Sequence, residues 1–597
     1  MSFSSSTLFA LSVAYLGLLF LLAHASEKGW LPLRWVRHPA VYTLSLGVFI
    51  SSWGLYGVVQ FAADFGYNFL AFYMGIAGAF LVAPMFLQPL LRLAKTHQLH
   101  SLPDLLAFRF RSQSVGSIAT LSILVGVMPL LTAQMQTMAE VVFIVTGGHS
   151  TRGMGVFFCA VLICFTLLFG TRQRNNRGLS HDGLVVAIAA ESLIKLIAML
   201  AISAYAYFSV LGGEQGLNQW LQNNPAALEQ MYQPLQGGYW HSLLLLFFFA
   251  AVVVPCMYQM AFTENREPRD LVTASWGVPL YFLLMAIGIP ILLWAGQALQ
   301  LSLPTTYYGL GIALQANSPW MTLILFVGTL AASSGILIVT TLALANMLLN
   351  HILLPISGLS TDDNLYQRTL NQQRLLIAFI PTAAFLLAWL PTLRPDSTEM
   401  SMLSFVATIQ LAPSMLALLF WPRATGMGVL IGLSAGILVW FVTLVLPAFF
   451  VPELDTSAWL GLDVNDQLGH WQAMGLIATL ANIGCMLAFS LLTKQSADDK
   501  EIAEACSVDN LRSPLRWGLI ADSTSAFIEA LSPSLGPITA EREVKMALQD
   551  LGLKLDERRP YALRRLREQL NANLSGLLGP SMAQDLLDEH PPHKIVA

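Results

Sequence analysis

Charged residues inside apolar segments are the first candidates for chemistry in this sequence. The segment "AAESLIKLIAML" carries Glu191 and Lys195, four positions apart and therefore on one face of a helix. A charge inside a membrane costs at least ~2.5 kcal/mol, so such residues usually have a function. At roughly 1.5 Å per residue, Lys195 lies about 20 Å along the helix from Asp182, near the bilayer centre. The pair is either a proton carrier with its counter-ion or a buried ion pair that fixes packing.

A second candidate is the stretch "VFISSWGLYGV", residues 48–58, which weakens its own helix inside an apolar run. Ser51, Ser52 and Gly54 permit a break, and a break at membrane depth is tolerated where the helix lines a cavity. The freed carbonyls and hydroxyls are ligands for a cation, and the half-helix ends face a polar substrate. Close helix packing is the alternative, because small residues serve that purpose too.

Two further apolar runs add polar groups. Pro255 removes a helical hydrogen bond in one of them and is followed by Tyr258 and Gln259. Interruptions at equivalent places in two inverted halves are typical of secondary transporters. The other run carries Ser333 and Ser334, whose hydroxyls either complete a cation site of oxygen ligands or bond back to their own helix.

The elements that must position these residues are membrane spans. The chain has 597 residues, of which 55% are hydrophobic and only 11% charged, whereas a soluble domain has about 25% charged residues. The composition therefore indicates a polytopic all-α membrane protein that contacts the lipid bilayer. The cysteines form no CxxC pair, so neither a zinc site nor a disulfide framework is expected. Apolar runs predict thirteen spans, at about 4–24, 39–61, 68–93, 115–146, 153–171, 182–210, 239–261, 275–298, 317–350, 373–392, 400–421, 426–450 and 469–493.

The loops orient these spans. If the N-terminus is outside, the loops after odd-numbered spans hold fifteen basic residues and the opposite loops hold two, Arg152 and Arg394. Because basic residues are retained in the cytoplasm, this alternation predicts an outside N-terminus and a cytoplasmic C-terminus. Residues 494–597 hold thirteen of the 31 Lys and Arg residues and short amphipathic segments such as "PLRWGLIADSTSAFIEAL". They predict a linker at 494–510 and a small cytoplasmic bundle of three to five helices at 511–597.

Three motifs resemble those of the sodium/solute symporters. They are "SLPDLLAFRF" (101–110), "FGTRQ" (169–173) with Asp182, and "APSMLALLFWPRATGMGVLIGLSAG" (412–436). The resemblance covers about residues 4–493 and implies a transmembrane domain, 1–493, with the inverted five-plus-five repeat of LeuT type, formed by spans two to six and seven to eleven. It also implies a sodium ion held by carbonyls of broken span two and by two hydroxyls of span nine, which Ser333 and Ser334 match in one alignment.

Two sets of site residues are expected from the residues and the resemblance together. Cargo is expected to contact Ser51, Ser52, Trp53, Gly54, Phe247, Pro255, Tyr258 and Gln259. Ion coupling is expected to use Asp182, Glu191, Lys195, Ser333 and Ser334. Related LeuT-fold carriers without sodium dependence use a lysine amine in place of the cation, so proton coupling stands beside Na⁺ coupling. Apart from Na⁺, no cofactor or metal is expected.

The tail resembles the STAC bundle that follows the symporter domain of CbrA-type sensor histidine kinases. That resemblance implies the bacterial inner membrane, amino acid sensing (histidine in particular) and a downstream kinase domain as partner; no nucleic acid partner is expected. The kinase part is absent, and we expect a truncated chain. Two functions stay open, a cation-coupled amino acid symporter and a non-transporting receptor with a transporter fold. A membrane enzyme, based on the metal-like spacing of His97 and His100, is the weakest alternative.

Overall fold

The computed structural model describes most of the chain. The described residues are 3–148, 152–173, 181–232, 239–357, 365–389, 395–451, 454, 456, 467–506, 517–519, 523–554, 560–579, 582–583, 586–587 and 593–595. The predicted linker and bundle lie only partly within these ranges, as do several of the predicted loops.

The described residues form a helical protein. The first helices are α1 Ser5–Glu27, α2 Leu33–Val36, α3 Pro39–Ser45, α4 Val58–Phe65, α5 Leu70–Leu81, α6 Leu87–Thr96, α7 Leu102–Phe110, α8 Gln113–Val145, α9 Arg152–Gln173 and α10 Asp182–Tyr205. Next come α11 Gly213–Asn223, α12 Pro225–Tyr232, α13 Trp240–Val253, α14 Pro255–Tyr258, α15 Pro268–Ala298, α16 Tyr308–Gln315, α17 Pro319–Leu348 and α18 Leu354–Ser357. The apolar part ends with α19 Leu365–Ala388, α20 Ser397–Thr408, α21 Ala412–Phe420, α22 Gly426–Trp440, α23 Leu446–Phe449 and α24 Gln467–Leu492.

Many of these helices are membrane spans by length and composition. Within the described ranges nine helices are long and apolar enough to cross a membrane, or up to eleven if each of two bent pairs counts as one span. The pairs are Pro39–Phe49 with Trp53–Leu81, bent by 76°, and Trp240–Val253 with Pro255–Thr263, bent by 53°. A shorter apolar helix, Gly155–Leu168, lies inside α9. The total of thirteen spans stays a prediction.

The packing of α10 determines which helices surround the candidate site residues. This helix carries both charged residues of the "AAESLIKLIAML" segment, and it packs against α1, α3, α15 and α17. Its neighbours therefore include the helix before the first break (α3) and the helix with the serine doublet (α17). They also include the N-terminal helix α1, which lies outside the predicted five-plus-five core.

The tail has its own hydrophobic core. The tail contains α25 Ala497–Cys506, whose buried Ile502 and Cys506 belong to the core of the membrane part, and then α26 Thr524–Leu535, α27 Pro537–Asp550 and α28 Pro560–Leu578. Apolar side chains of α26, α27 and α28, such as Leu531, Val544 and Leu570, form a cluster separate from that of the membrane part.

The structure departs from the all-α prediction at one place in the tail. Within the predicted amphipathic helix, Trp517–Leu519 is a strand (β1) that pairs antiparallel with His593–Ile595 (β2), and α26 begins only at Thr524. Glycine costs about 1 kcal/mol in a helix interior, and Gly518 lies in the middle of β1. Among the described residues of that segment, Trp517–Leu519 is therefore strand, and the helix covers Thr524 onward.

Candidate cation and substrate site

The first break lies where the serine and glycine residues predicted it. A short 3₁₀ turn, Leu46–Phe49, follows α3, Ile50 leaves the helical region at φ −70° and ψ 89°, and a π-helical turn, Trp53–Gly57, resumes the helix. A Cβ atom on Gly57 would lie 2.3 Å from Cδ1 of Trp53. Gly57 is therefore required for the indole ring to lie along this turn.

Lys195 binds two carbonyl groups at the break, of which that of Gly47 also accepts a hydrogen bond from the backbone N–H of Ile50. Its Nζ donates to the oxygen of Gly47 at 2.9 Å and to the oxygen of Ile50 at 2.9 Å. The side chain is fully buried. An ammonium group surrounded by carbonyl oxygens has the same ligand chemistry as a bound alkali cation, and hydrogen bonds from a charged donor are the strong ones.

Glu191 faces a different set of partners. Its Oε1 accepts a hydrogen bond from Ser334 Oγ at 2.7 Å and one from the hydroxyl of Tyr15, on α1, at 3.2 Å. None of the ion pairs between described residues joins Glu191 to Lys195. The two charges thus share a helix face, as predicted, but each serves a separate polar centre.

Glycine makes room for the carboxylate. A Cβ atom on Gly335 would lie 2.1 Å from Oε2 of Glu191. Residue Glu191 is 1% exposed, and its Oε2 has no hydrogen-bond partner among the residues described. An acceptor that is buried and unpaired is costly, about 1–3 kcal/mol, so this oxygen is poised to receive a proton or a cation.

The serine doublet is divided between two roles. The hydroxyl of Ser334 lies within hydrogen-bond distance of Glu191 and, at 2.6 Å, of the carbonyl of Leu330, one turn earlier. It can donate to only one of them at a time. The hydroxyl of Ser333 is buried and has no partner within the described part of the chain. Ser334 can therefore bond back to its own helix, and the role of cation ligand stays a prediction for both serines.

Asp182 lies apart from these groups. It begins α10, forms an ion pair with Arg266 and lines a cavity at that end of the protein. Thirteen residues of helix, about 20 Å, separate it from Lys195. The structure therefore does not bring Asp182 together with the other predicted coupling residues.

The second break is made by proline. Val254, just before Pro255, has φ −68° and ψ 127°, the extended conformation that a following proline imposes. The helix resumes at Pro255 and becomes a π-helical turn at Gln259–Thr263. Gln259 Nε2 donates to Glu264 at 2.8 Å, while the Tyr258 hydroxyl lies 3.5 Å from the carbonyl of Leu99. These two predicted cargo residues thus contact the segments next to the cavity lined by Asp182.

Trp53 and Phe247 pack together within a larger aromatic cluster, and their contact with cargo stays a prediction. Their rings stack with centroids 6.1 Å apart, and Phe72 and Phe405 pack edge-on against both. All four side chains are buried. Trp53 Nε1 has no hydrogen-bond partner among the described residues, so one polar atom remains at the centre of this cluster.

Gln134, on α8, is a site residue that the sequence analysis missed. Its Oε1 accepts hydrogen bonds from the backbone N–H of Ser52 at 2.9 Å and from the Ser52 hydroxyl at 2.7 Å. Ser51 Oγ in turn accepts from the N–H of Trp53 at 3.2 Å. An uncharged polar residue inside the apolar run 115–146 was the available signal for Gln134. No comparable signal marked Tyr15, because a single tyrosine in the middle of an apolar run also packs as a large apolar side chain.

Polar networks hold the loops at one end of the spans. Glu264 accepts hydrogen bonds from the backbone N–H of His181 at 2.6 Å and pairs with the His181 ring at 2.8 Å. Burial opposes ionisation of Glu264, but the charge and hydrogen bonds of His181 hold its pKa below the ordinary value. Asp104, in α7, pairs with His351 at 2.7 Å. Burial raises the pKa of Asp104, but the hydrogen bond and the charge of His351 outweigh it, so the pKa of Asp104 lies below its ordinary value.

Nothing in the described chain supports the metal-enzyme alternative. Burial lowers the pKa of His97 to about 4, and its ring packs on Phe108 with centroids 4.3 Å apart. No group of three or more potential metal ligands was found in the ranges that the structure describes.

Two large cavities lie away from the eight predicted cargo residues. One, of about 630 Å³, is lined by polar residues around Asp182, Lys95 and Asn265. The other, of about 650 Å³, is a largely apolar groove between α13, α21 and α24.

Comparisons with known proteins point to transporters. No family model matches the sequence. The chain is similar to an uncharacterized symporter, YhjB, of Bacillus subtilis (strain 168), with 24% identity over 448 residues that cover 71% of this chain and 83% of the relative.

Solved structures were compared as well. The structure is similar to a Na⁺-coupled sialic acid symporter in its substrate-bound outward-open state, with a TM-score of 0.59 and 15% identity over 82% of this chain and 98% of that one. A nucleobase-cation-symport-1 family transporter in a closed conformation aligns with a TM-score of 0.46 and 14% identity over 78% of this chain and 95% of that one. YhjB and the sialic acid symporter are both named as symporters, which agrees with the prediction of a non-enzyme. The expected likeness to symporters of LeuT-like fold is confirmed at the level of the fold by the sialic acid symporter.

Proposed function

We propose that the chain is a cation-coupled secondary transporter for a small amino acid, and that the coupling ion is the proton. The observation that supports the proposal most directly is the position of Lys195, whose ammonium donates to the carbonyls of Gly47 and Ile50. In the family that the sequence resembles, sodium binds carbonyls of this broken span. A charged lysine there supplies the positive charge without an external metal ion.

The coupling step follows from the charge of the lysine. A charged donor holds carbonyl oxygens about twice as strongly as a neutral one. Protonation of Lys195 therefore favours the bent form of the first broken span, and loss of that proton weakens it. Glu191, one turn away and with an unpaired buried oxygen, is the group that accepts the proton that Lys195 releases and later returns it.

Sodium coupling is the second candidate. The similar sialic acid symporter is Na⁺-coupled, and the hydroxyl of Ser333 is buried without a partner among the described residues. Oxygen ligands from Ser333, Ser334 and Glu191 would suit a hard cation. In that case Lys195 would have a structural role, and the ion would bind on the α17 side of α10.

The wider setting is part of the same proposal. The transport domain is residues 1–493, with thirteen spans in a LeuT-type five-plus-five repeat, in a bacterial inner membrane with the N-terminus outside. Residues 494–510 are a linker, and the STAC-like bundle 511–597 lies in the cytoplasm, where it connects transport to a histidine kinase. The proposed cargo is L-histidine, which contacts the residues around Trp53 and Phe247. A receptor that binds without transport is the alternative for the whole chain.

One uptake experiment separates these possibilities. The chain is reconstituted into liposomes, and uptake of labelled L-histidine, and then of the other amino acids, is measured under a proton gradient or a sodium gradient. We expect accumulation with the proton gradient alone, and its loss in Lys195→Gln and Glu191→Gln. Uptake that requires sodium and survives both substitutions would refute proton coupling, and binding without accumulation would leave only the receptor.

A further inference from the structure

The polar cavity of about 630 Å³ has the size of a small-molecule site. It lies between the start of α3, the loop after α6, the start of α10 and the segment that follows the second break. Its lining includes Arg37, Asn265 and Asp270, and none of the eight predicted cargo residues. By the distribution of basic loops it opens to the cytoplasm.

Asn265 gives this cavity an unused recognition group. The residue is only 3% exposed and lines the cavity. Its amide interacts with the hydroxyl of Tyr42, which itself donates to the carbonyl of Ala261, and neither amide atom makes a hydrogen bond of ordinary geometry within the described residues. A buried amide left unpaired costs about 1–3 kcal/mol for each group. A ligand that offers both a donor and an acceptor would satisfy the two atoms together.

The charged residues around the Asn265 amide indicate the chemistry of that ligand. Arg37 and Lys95 contribute positive charge, while Glu267 and Asp270 contribute negative charge. Lys95 donates to the carbonyl of Arg266 at 2.6 Å, so its ammonium is fixed in place. A cavity of this size, with both signs of charge and a buried amide, matches a small zwitterion. In an amino acid the carboxylate and the ammonium are attached to the same carbon atom, so both can be bound within one small cavity.

A tyrosine separates the cavity from the centre of the protein. The hydroxyl of Tyr42, on α3, donates to the carbonyl of Ala261, in the π-helical turn after α14, at 2.9 Å. Tyr42 also lines the cavity. The contact joins the two half-helices on the cytoplasmic side of the two breaks, so a solute that leaves the centre must part them.

From these contacts we propose that the cavity is a second, cytoplasmic binding site for an amino acid zwitterion, with Asn265 as its recognition residue. The inference rests on the proposed transport function and extends it. Cargo released past Tyr42 is held next to the tyrosine, and a molecule that binds from the cytoplasm at high concentration occupies the exit. Accumulated product thereby slows further uptake.

Equilibrium binding to the purified full chain tests the site directly. Each of the twenty amino acids, as labelled compounds, is titrated from micromolar to millimolar concentration. For the cargo amino acid we expect two classes of site per chain. Asn265→Leu removes the weaker class, and Trp53→Ala removes the tighter one. Arg37→Gln, a change at an exposed position, weakens the second class about tenfold, the equivalent of one lost hydrogen bond of about 1.4 kcal/mol.

One further variant serves as the control, and three results would each contradict a different proposal or both. Asn482→Leu replaces another buried asparagine, on α24, and leaves both classes unchanged. A single class that survives Asn265→Leu and Arg37→Gln overturns the cytoplasmic site but not the transporter. Two classes of binding with no uptake overturn the transporter but not the site. If none of the twenty amino acids binds, both proposals fail.

Discussion

The two breaks occupy comparable places in the fold and are held in different ways. The break at Ile50 bends its span by 76°, and three groups from other helices bind near it, namely Lys195, Gln134 and the hydroxyl of Tyr73, which donates to Gly54 at 3.1 Å. The break before Pro255 bends its span by 53°. In the described chain no side chain donates a hydrogen bond to the backbone of residues 250–257 there, and the N–H groups of Met257 and Tyr258 bond to Val254.

This difference separates a permanent bend from an adjustable one. Proline removes its own donor and restricts the residue before it, so the second break is encoded locally and needs no partner. The first break leaves carbonyls that require a donor, and the donor is an ionisable side chain. A bend that depends on Lys195 changes with the charge of Lys195, whereas the bend at Pro255 does not.

The largest expected effect is the loss of that donor. Lys195→Met keeps the length of the side chain but removes its hydrogen bonds to the carbonyls of Gly47 and Ile50, and among the described residues only Gly47 keeps a second donor, the N–H of Ile50. Hydrogen bonds from a charged donor are worth about 1.5–3 kcal/mol each, so two of them account for roughly 3–6 kcal/mol. We expect uptake to fall below detection and the melting temperature of the purified chain to drop. An unchanged melting temperature would show that the first bend does not depend on lysine.

The sequence predicted the positions of both breaks but not the partners of the first. Serine, glycine and proline act on their own backbone, so Ser51, Ser52 and Pro255 were readable from the chain alone. Lys195 and Glu191 were recognised as buried charges on one helix face, yet their separation into two polar centres depends on which helices pack against α10. That packing brings in Gln134 and Tyr15 from distant segments, and no local pattern specifies it.

The second-largest effect is expected from a steric change at the first break. Gly57→Ala places a Cβ atom 2.3 Å from the Trp53 ring, so the indole must move. Overpacking of this kind costs about 1–3 kcal/mol, and we expect a several-fold loss of uptake together with a lower melting temperature. Gly78→Ala on α5 is the matched control, since its Cβ atom would lie 3.8 Å from Phe248. If Gly57→Ala and Gly78→Ala have the same uptake and the same melting temperature, the position of Trp53 is not constrained by Gly57.

Gln134→Leu tests the second partner of the first break. Without the amide oxygen, the N–H and hydroxyl of Ser52 lose their acceptor in a buried position, at a cost of about 1–3 kcal/mol. The melting temperature should fall by less than in Lys195→Met, and uptake should be reduced but measurable. Gln136→Leu, two residues further on at a partly exposed position, should behave as the wild type. A stable and fully active Gln134→Leu variant would remove Gln134 from the site.

Pro255→Ala tests whether the second bend depends on proline alone. Alanine supplies an N–H and releases the restriction on Val254, so the second span becomes straighter. Because no distant donor was holding this bend, we expect the melting temperature to stay within a few degrees of the wild type while uptake slows. Pulsed electron paramagnetic resonance with spin labels at Leu245 and Thr263 measures the bend. A large destabilisation would mean that this break, too, is held by tertiary contacts.

The smallest effect is expected from the outermost partner of the coupling residues. Tyr15→Phe removes the hydroxyl that donates to Glu191 at 3.2 Å, while Ser334 and the charge of Lys195 on the same helix remain. Since that hydroxyl stabilises the ionised carboxylate, the variant should take up protons more readily. Half-maximal uptake should therefore move by up to about one pH unit to higher pH, equivalent to ~1.4 kcal/mol. Tyr281→Phe is the control, because its hydroxyl donates to the backbone of Ser192 on α10 at 3.0 Å and not to an ionisable group. If both variants keep the wild-type pH profile, α1 only supports the fold. If Tyr15→Phe alone shifts the profile, the polar centre of Glu191 extends to the N-terminal helix, beyond the predicted five-plus-five core.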